Sequence, residues 1–224
     1  MRRFECSAIV FDLDGVLVDS TAFVEQQWRR WASARGLRAE PFLRVCHGRR
    51  AVETIRLAAP QLDAEAEIAA FGPTEESTDV GAAVGPLAGA ARLLAALPLW
   101  SWGVATSGPR EAAGARLRSA GLPVPPVLVC AEDVTRGKPG PDVYLQAARD
   151  LRVSPAECLA VEDTPAGVEA AHSAGMPVVA VTTTHRPDQL RADACTRDLA
   201  GVHLGRLDRD PRGGWRLEIL VVEE

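Results

Sequence analysis

Lysine is nearly missing from this 224-residue chain: of its 25 basic residues, 24 are arginine and one, Lys138, is lysine. Asparagine is absent, and isoleucine occurs only at positions 9, 55, 68 and 219. All three are written mostly with A- and T-containing codons, so the pattern reads as GC-rich coding that exchanges lysine for arginine wherever either serves. The lysine that remains is therefore singled out. No cysteine pair has C-x-x-C spacing. The five cysteines (Cys6, Cys46, Cys130, Cys158 and Cys195) are scattered and odd in number. That excludes a disulfide framework or a zinc site and predicts reduced, buried thiols in a cytoplasmic protein. A long unbroken apolar run is lacking too. Segment 81–100 has Arg92 as its sole charge, but Gly85, Pro86, Gly89 and Pro98 interrupt it. It predicts a packed helix over about 87–97, not a membrane span. The start, MRRFECSAIVF, runs straight into Asp12 and Asp14, where a secretion signal would keep a longer apolar core free of carboxylates. A basic excess is also missing. The net charge of 25 − 30 = −5 argues against nucleic acid or an anionic membrane as partner.

What is present is a globular composition, 47% hydrophobic and 25% charged, at a length that suits one large domain or a core with an inserted lobe. Apolar, β-branched runs end in polar residues and lead into helix-start signals. Ser7–Phe11 precedes DLDGV, and Trp102–Thr106 precedes Ser107-Gly108-Pro109. Val127–Cys130 precedes AEDVTRGKPGPD, and Leu159–Glu162 precedes Asp163-Thr164-Pro165; Val178–Thr182 is a fifth run. Thr164 reads as an N-cap with Pro165 at the first helical position and Gly175 past the end. Ser154-Pro155-Ala156-Glu157 reads as a capping box that strand residues limit to one turn. Strands alternating with helices predict βαβ units, hence a doubly wound α/β core with a parallel, Rossmann-like sheet. Residues 20–84 lack strand-like runs and carry Phe23, Trp28 and Trp31 at helical spacing, then Leu57, Leu62 and Ile68. They predict an inserted helical cap over 19–84, with the core formed by 1–18 and 85–224 and hinges at 16–20 and 81–86, where Gly72-Pro73 and Gly85-Pro86 mark its exit. In the tail, Val202–Leu207 and Trp215–Val222 predict a hairpin within 202–222 around the turn residues 208–214.

Ligands of open parallel sheets bind beyond the carboxyl ends of the strands, where strand order reverses. The polar residues at those ends are Asp12 and Asp14, Thr106 and Ser107, and Glu162 and Asp163, with Lys138 on the loop after the third run. Four converging carboxylates would repel and take up protons, which a divalent cation relieves. Hard oxygen donors favour Mg²⁺, and Mg²⁺ with a lysine and hydroxyls makes a site for a phosphoryl group. A carboxylate there can attack phosphorus, and a second can protonate the leaving oxygen and then deprotonate water. Thr106 can donate to phosphoryl oxygens, and Lys138 can neutralise them as a point charge.

FDLDGVLVDS at 11–20, VATSG at 104–108, RGKPGPDVYL at 136–145 and VEDTPAGVEAAHSAGM at 161–176 resemble, in order, the four motifs of the haloacid dehalogenase-like hydrolases. The likeness extends over everything but the tail hairpin. Within that superfamily the chain is most similar to sugar- and polyol-phosphate phosphatases with a small helical cap, of the glycerol-phosphate and 2-deoxyglucose-6-phosphate types. The resemblance implies Asp12 as nucleophile, Asp14 as acid/base, and Thr106 and Lys138 on the phosphoryl group. It also implies Mg²⁺ held by Asp12, the Asp14 carbonyl and Asp163, with Glu162 either on the metal through water or capping the next helix. Ser107, through its backbone N–H, and Gly108 are placed at the substrate. Cys46-His47-Gly48-Arg49-Arg50 resembles a His-Gly-x-Arg segment of the cap, so His47, Arg49 and Arg50 are candidate substrate contacts; a turn-bonded His47 and solvent-facing arginines are the alternatives.

The departures narrow the reaction. Dehalogenases of the superfamily lack the second aspartate, present here as Asp14. Phosphonate-cleaving members need a cap lysine, and none exists. P-type ATPases carry Asp-Lys-Thr-Gly-Thr, whereas position 13 is Leu. A phosphosugar mutase of the β-phosphoglucomutase kind would place a histidine near Val24. The expectation is thus an Mg²⁺-dependent phosphatase, a monomer, acting on a small phosphorylated metabolite through an aspartyl phosphate. The alternatives are that mutase, a phosphatase for another small metabolite such as phosphoglycolate, and a non-catalytic phosphate-binding regulator.

Overall fold

Continuous apolar runs suit strands covered on both faces, and each of the five runs becomes a strand of one sheet. The structure, a computed structural model, describes residues 1–70, 84–209 and 214–223. In chain order the first strands are β1 (Arg2–Cys6), β2 (Ala8–Phe11), β3 (Val18–Asp19), β4 (Gly85–Pro86), β5 (Trp102–Ala105) and β6 (Leu128–Val129). They are followed by β7 (Cys158–Glu162), β8 (Val178–Val181), β9 (Ala194–Thr196), β10 (Val202–Arg209) and β11 (Trp215–Val221). Six of them form a parallel sheet in the order β6-β5-β2-β7-β8-β9. The chain starts at β2, winds outward through β5 and β6, then returns to the other side of β2 with β7. Strand order therefore reverses at β2, which fixes where a ligand cleft opens.

The helices are α1 (Thr21–Ala34), α2 (Glu40–Leu43), α3 (Ala51–Ala58), α4 (Ala64–Ala70), α5 (Ala90–Ala96), α6 (Arg110–Ser119), α7 (Asp142–Leu151) and α8 (Pro165–Ser173). Alternation along β2 sends Ile9 and Phe11 into a core shared with Leu93, Leu117 and Ile219, and Ala8 and Val10 into one shared with Tyr144, Ala147 and Val168. So α5, α6 and the tail strands cover one face of the sheet, and α7 and α8 the other. Thr164 caps α8, accepting the Gly167 N–H, with Pro165 first in the helix. Ser154 opens a single turn over Pro155–Glu157, but its side chain makes no capping hydrogen bond. α5 starts at Ala90, later than position 87, because Gly89 before it has φ +84, outside the right-handed helical region.

Two strands escape a reading by apolar runs. β9 is three residues long, flanked by Asp193 and Arg197. β1 is rich in arginine, and only Cys6 is fully buried. β1 pairs antiparallel with β11 and completes a three-stranded sheet β1-β11-β10 around the tail hairpin. Turn positions 210–213 of that hairpin lie outside the described residues, as do Gly72-Pro73 and the first part of the exit hinge.

α1 to α4 build a second, separate core. Trp28 stacks on Phe42 with centroids 5.6 Å apart, and Trp31 meets Phe42 edge-on at 5.0 Å, with Ile55 and Ala59 beneath. The tryptophans thus pack the cap, although one edge of Trp28 also reaches the cleft. The two chain passages into and out of this lobe pair with each other as β3 and β4, Val18 opposite Pro86. All five cysteines are free thiols, and burial pushes Cys6, Cys46, Cys130 and Cys158 up to about 12. No helix among the described residues is long and apolar enough to cross a membrane.

Candidate active site

The carboxyl ends of β2, β5 and β7 meet under the cap. Asp12 follows β2 and is tied to the neighbouring strand by its N–H to the Val161 carbonyl, 2.9 Å. The chain then turns sharply at Gly15, whose φ of +82 suits glycine. Any side chain there would also collide with Asp163, since a Cβ would sit 2.1 Å from Asp163 Oδ2. Asp163 itself is fully buried and accepts the Thr184 hydroxyl at 2.6 Å.

Lys138 lies at the floor of the site with a fully buried side chain. Its Nζ is 2.6 Å from Glu162 Oε1, 2.9 Å from Asp12 Oδ1 and 3.1 Å from the Ala105 carbonyl. The approach to Asp12 is an ion pair, and Oδ1 of Asp12 has no hydrogen-bond donor besides it. Oδ1 of Asp163 is likewise buried and unpartnered. Glu162 has the opposite character. Its Oε1 accepts Lys138 and the Tyr144 hydroxyl at 2.8 Å, and its Oε2 accepts the N–H groups of Asp163 and Thr164 and the Thr164 hydroxyl at 2.9–3.1 Å. Asp163, just past the end of β7, keeps Oδ1 without a partner close to Asp12, while Glu162, the last strand residue, spends both oxygens on Lys138, Tyr144 and the following turn.

These contacts set the protonation states. Burial pushes Asp12 up to about 7; Lys138 opposes this, and Glu162 and Asp14 add to it. Burial also drives Asp163 well above the usual carboxylate range, reinforced by the charges of Glu162 and Asp12. Burial alone would raise Glu162 too, yet Lys138 and its hydrogen bonds hold it below the ordinary value. Burial works against the charge of Lys138, but Asp12 and Glu162 outweigh it and keep the ammonium protonated. One of the three buried carboxylates is thus neutralised by the lysine, and two are left in want of positive charge. Oxygens of Asp12, Glu162 and Asp163 lie within 4.8 Å of one another. Two orphaned carboxylate oxygens beside a saturated third suit a hard divalent cation.

Above this floor is a cavity of about 110 Å³. Asp12, Asp14, Thr106, Ser107 and Gly108 line it from the core, and His47, Gly48, Arg49 and Val24 from the cap. The Thr106 hydroxyl accepts the Gly108 N–H at 3.1 Å, which leaves its own proton to be donated into the cavity. Ser107 uses its hydroxyl on the cap, donating to the Gly48 carbonyl at 2.9 Å. Gly48, at φ +73, lies so close to motif residue Thr164 that a Cβ would be 2.3 Å from its Oγ1. His47 is 3.6 Å from Glu25.

Arg50, expected at the substrate, is not among the residues that line the cavity. It is the N-cap residue before α3, and Glu53 at the third helical position draws its guanidinium sideways, Nη2 to Oε1 at 2.6 Å. From there Arg50 donates to the Val134 and Thr135 carbonyls of the core at 3.2 and 3.0 Å, and Glu53 accepts the Gly137 N–H at 3.0 Å. The cap is therefore fastened to the loop that carries Lys138. Three further residues carried no sequence role. Ser20 donates to Asp14 at 2.5 Å, Arg116 pairs with Asp14 at 2.9 Å, and Tyr144 supports Glu162. Tyr144 is the only tyrosine of the chain and lies within a motif, a signal that was available; Arg116 is one of 24 arginines and gave none.

A parallel sheet reversing at an aspartate pair, a buried lysine on the next carboxylates and a helical lobe closing the cleft define a capped α/β hydrolase. Residues 6–175 match the model of the haloacid dehalogenase-like hydrolase family. Hexitol phosphatase A of Escherichia coli K12 is 42% identical over 79% of this chain and 83% of that protein. A validoxylamine A 7'-phosphate phosphatase of Streptomyces hygroscopicus is 38% identical over 88% and 97%. A solved hydrolase of Pseudomonas syringae shares the fold at a TM-score of 0.77, with 24% identity over 87% and 94% of the two chains. The chain belongs to the haloacid dehalogenase-like hydrolases.

Proposed function

We propose that this phosphoric monoester hydrolase releases phosphate from small phosphorylated polyols or sugars by way of a phosphoryl group carried on Asp12. The observation that carries the reading is the meeting of Asp12 with the sole lysine at the floor of a cap-covered cavity, in a chain similar to a hexitol phosphatase. A carboxylate oxygen of Asp12 attacks phosphorus, and the ester oxygen departs with a proton from Asp14. Water then attacks the same phosphorus, gives its proton to Asp14, and frees inorganic phosphate and the Asp12 carboxylate. Lys138 and the Thr106 hydroxyl face the oxygens on which charge collects. We assign Asp12, the Asp14 carbonyl and Asp163 as holders of Mg²⁺, which supplies positive charge to carboxylates and phosphoryl oxygens alike when bound. Glu162 we assign to Lys138, because five donors already occupy its oxygens. His47 and Arg49 contact the alcohol part of the substrate from the cap, which we place at 19–84, and the enzyme works in the cytoplasm as a monomer.

Purified protein with Mg²⁺ is to be screened for phosphate release from hexitol, glycerol, sugar and nucleotide monophosphates and from phosphoglycolate. Release from polyol or sugar phosphates, abolished in Asp12→Asn, is expected. No release from any of them, or full activity in Asp12→Asn, overturns the proposal. Return of an isomerised phosphosugar without free phosphate would make it a mutase instead.

A further inference from the structure

Arg116 is 6% exposed, yet it reaches the cavity from α6 and has no part in the motifs. Burying a guanidinium is unfavourable unless it is paired. Its partner is Asp14: Nη1 lies 2.9 Å from Oδ2 and 3.1 Å from Oδ1, while its Nε has no hydrogen-bond partner. The ring of Phe23, from the cap helix α1, lies 5.8 Å from the guanidinium. Gly108 lies beside the guanidinium: a Cβ there would stand 3.5 Å from both Arg116 Nη1 and Thr106 Oγ1, an ordinary contact. On its other side Asp14 accepts the Ser20 hydroxyl at 2.5 Å. Asp14 is the one carboxylate of the site with an appreciably open side chain, 26% exposed. Without these two donors nothing described would fix its rotamer.

We propose that Arg116 is a positioning residue: with Ser20 it holds the Asp14 carboxyl in the orientation from which it exchanges protons with the leaving oxygen and with water. The inference rests on the reading of Asp14 as acid/base. Arg116 acts through Asp14 and not on the substrate, and that distinction gives the test.

The test is a double-mutant cycle of Arg116→Ala and Asp14→Asn, with kcat and KM measured on an aryl phosphate. Its good leaving group needs little protonation, so the demand on Asp14 is confined to the water step, where uncatalysed attack of water on the intermediate sets a slow but measurable Asp14→Asn rate. Arg116→Ala alone should lower kcat about 10- to 100-fold, the range for losing a charge-assisted hydrogen bond to a reacting group, with KM changed less than about twofold. In the Asp14→Asn background the same change should cost less than about twofold. Arg116→Lys, which can keep one hydrogen bond, should recover part of the rate and serves if the alanine variant fails to fold. Equal losses in both backgrounds, or a loss confined to KM, would mean that Arg116 binds substrate, and a wild-type kcat would mean that it does nothing here; each overturns the proposal. If Asp14→Asn alone keeps full turnover, the acid/base reading falls first, and that result is seen independently of Arg116.

Discussion

Exchange of Lys138 for arginine is conservative on most surfaces and should be severe here. The ammonium sits among three acceptors at 2.6, 2.9 and 3.1 Å, with no part of the side chain exposed. Arginine has two more heavy atoms and a planar fork that cannot aim donors at three oxygens grouped around one point. Overfilling a packed interior costs about 1–3 kcal/mol, so urea unfolding should show a stability loss of that order. The catalytic loss should be larger. A positive charge displaced from Asp12 no longer meets the phosphoryl oxygens, and removal of one such stabilising group typically costs about 10²–10³ in kcat. Lys138→Met separates the two effects: it fits the volume but leaves Glu162 and Asp12 buried without a cation, a loss of about 3–5 kcal/mol. Steady-state turnover and urea melts at pH 7 read both quantities. If Lys138→Arg keeps turnover within about threefold and stability within about 0.5 kcal/mol, the reasoning from compactness is wrong.

Three other outcomes follow from the geometry. Gly48→Ala puts a methyl group against Thr164, which cannot turn aside without giving up the Gly167 N–H it caps. With about 1–3 kcal/mol against closure, kcat/KM should drop about 5- to 150-fold, and a stopped-flow or steady-state measurement near the wild-type value would contradict the cap–core contact. Arg50→Ala and Glu53→Gln loosen the fastening of the cap to the Lys138 loop, so kcat/KM should fall about tenfold in each, and the two losses should not add. In the metal-free protein, Asp12 rises from 3.8 to about 7, so the folded state binds a proton that the unfolded state has lost between those values. Its stability should therefore fall as pH rises from about 4 to 7. Asp12→Asn should flatten that slope and melt higher than wild type at pH 8, by about 2–4 kcal/mol; parallel thermal melts in chelator would refute it.

Strands and site were legible to different depths. β2, β5 and β7 could be read because each is a run buried on both faces that is followed at once by a polar residue of the site, Asp12, Thr106 and Asp163. β1 and β9 could not, since their identity depends on long-range partners and not on local pattern. Among site residues, Asp12, Asp14, Thr106, Lys138 and Asp163 stand at strand ends or motif loops, where topology alone brings them together. The direction of Arg50 was not legible because its neighbour Glu53, three residues on, decides which way the guanidinium turns. Glu162 and Asp163 look equivalent in sequence, and only their hydrogen-bond partners separate the one that holds Lys138 from the one left with an orphaned oxygen. Arg116 was invisible for a plainer reason. In a chain where nearly every basic residue is arginine, a buried pair to Asp14, 102 positions earlier, leaves no local mark.

The central claim is that Asp12 carries the phosphoryl group. It is tested most directly by acid-quenching the Asp14→Asn variant during turnover of an aryl phosphate with Mg²⁺, then mapping its peptides by mass. Asp14→Asn should accumulate the intermediate, because water lacks its base in the second step. The account predicts the mass increment of one phosphoryl group on the peptide containing Asp12, absent when Asp12→Asn is added. Turnover with no phosphoryl increment on that peptide, or an increment that survives Asp12→Asn, would contradict it.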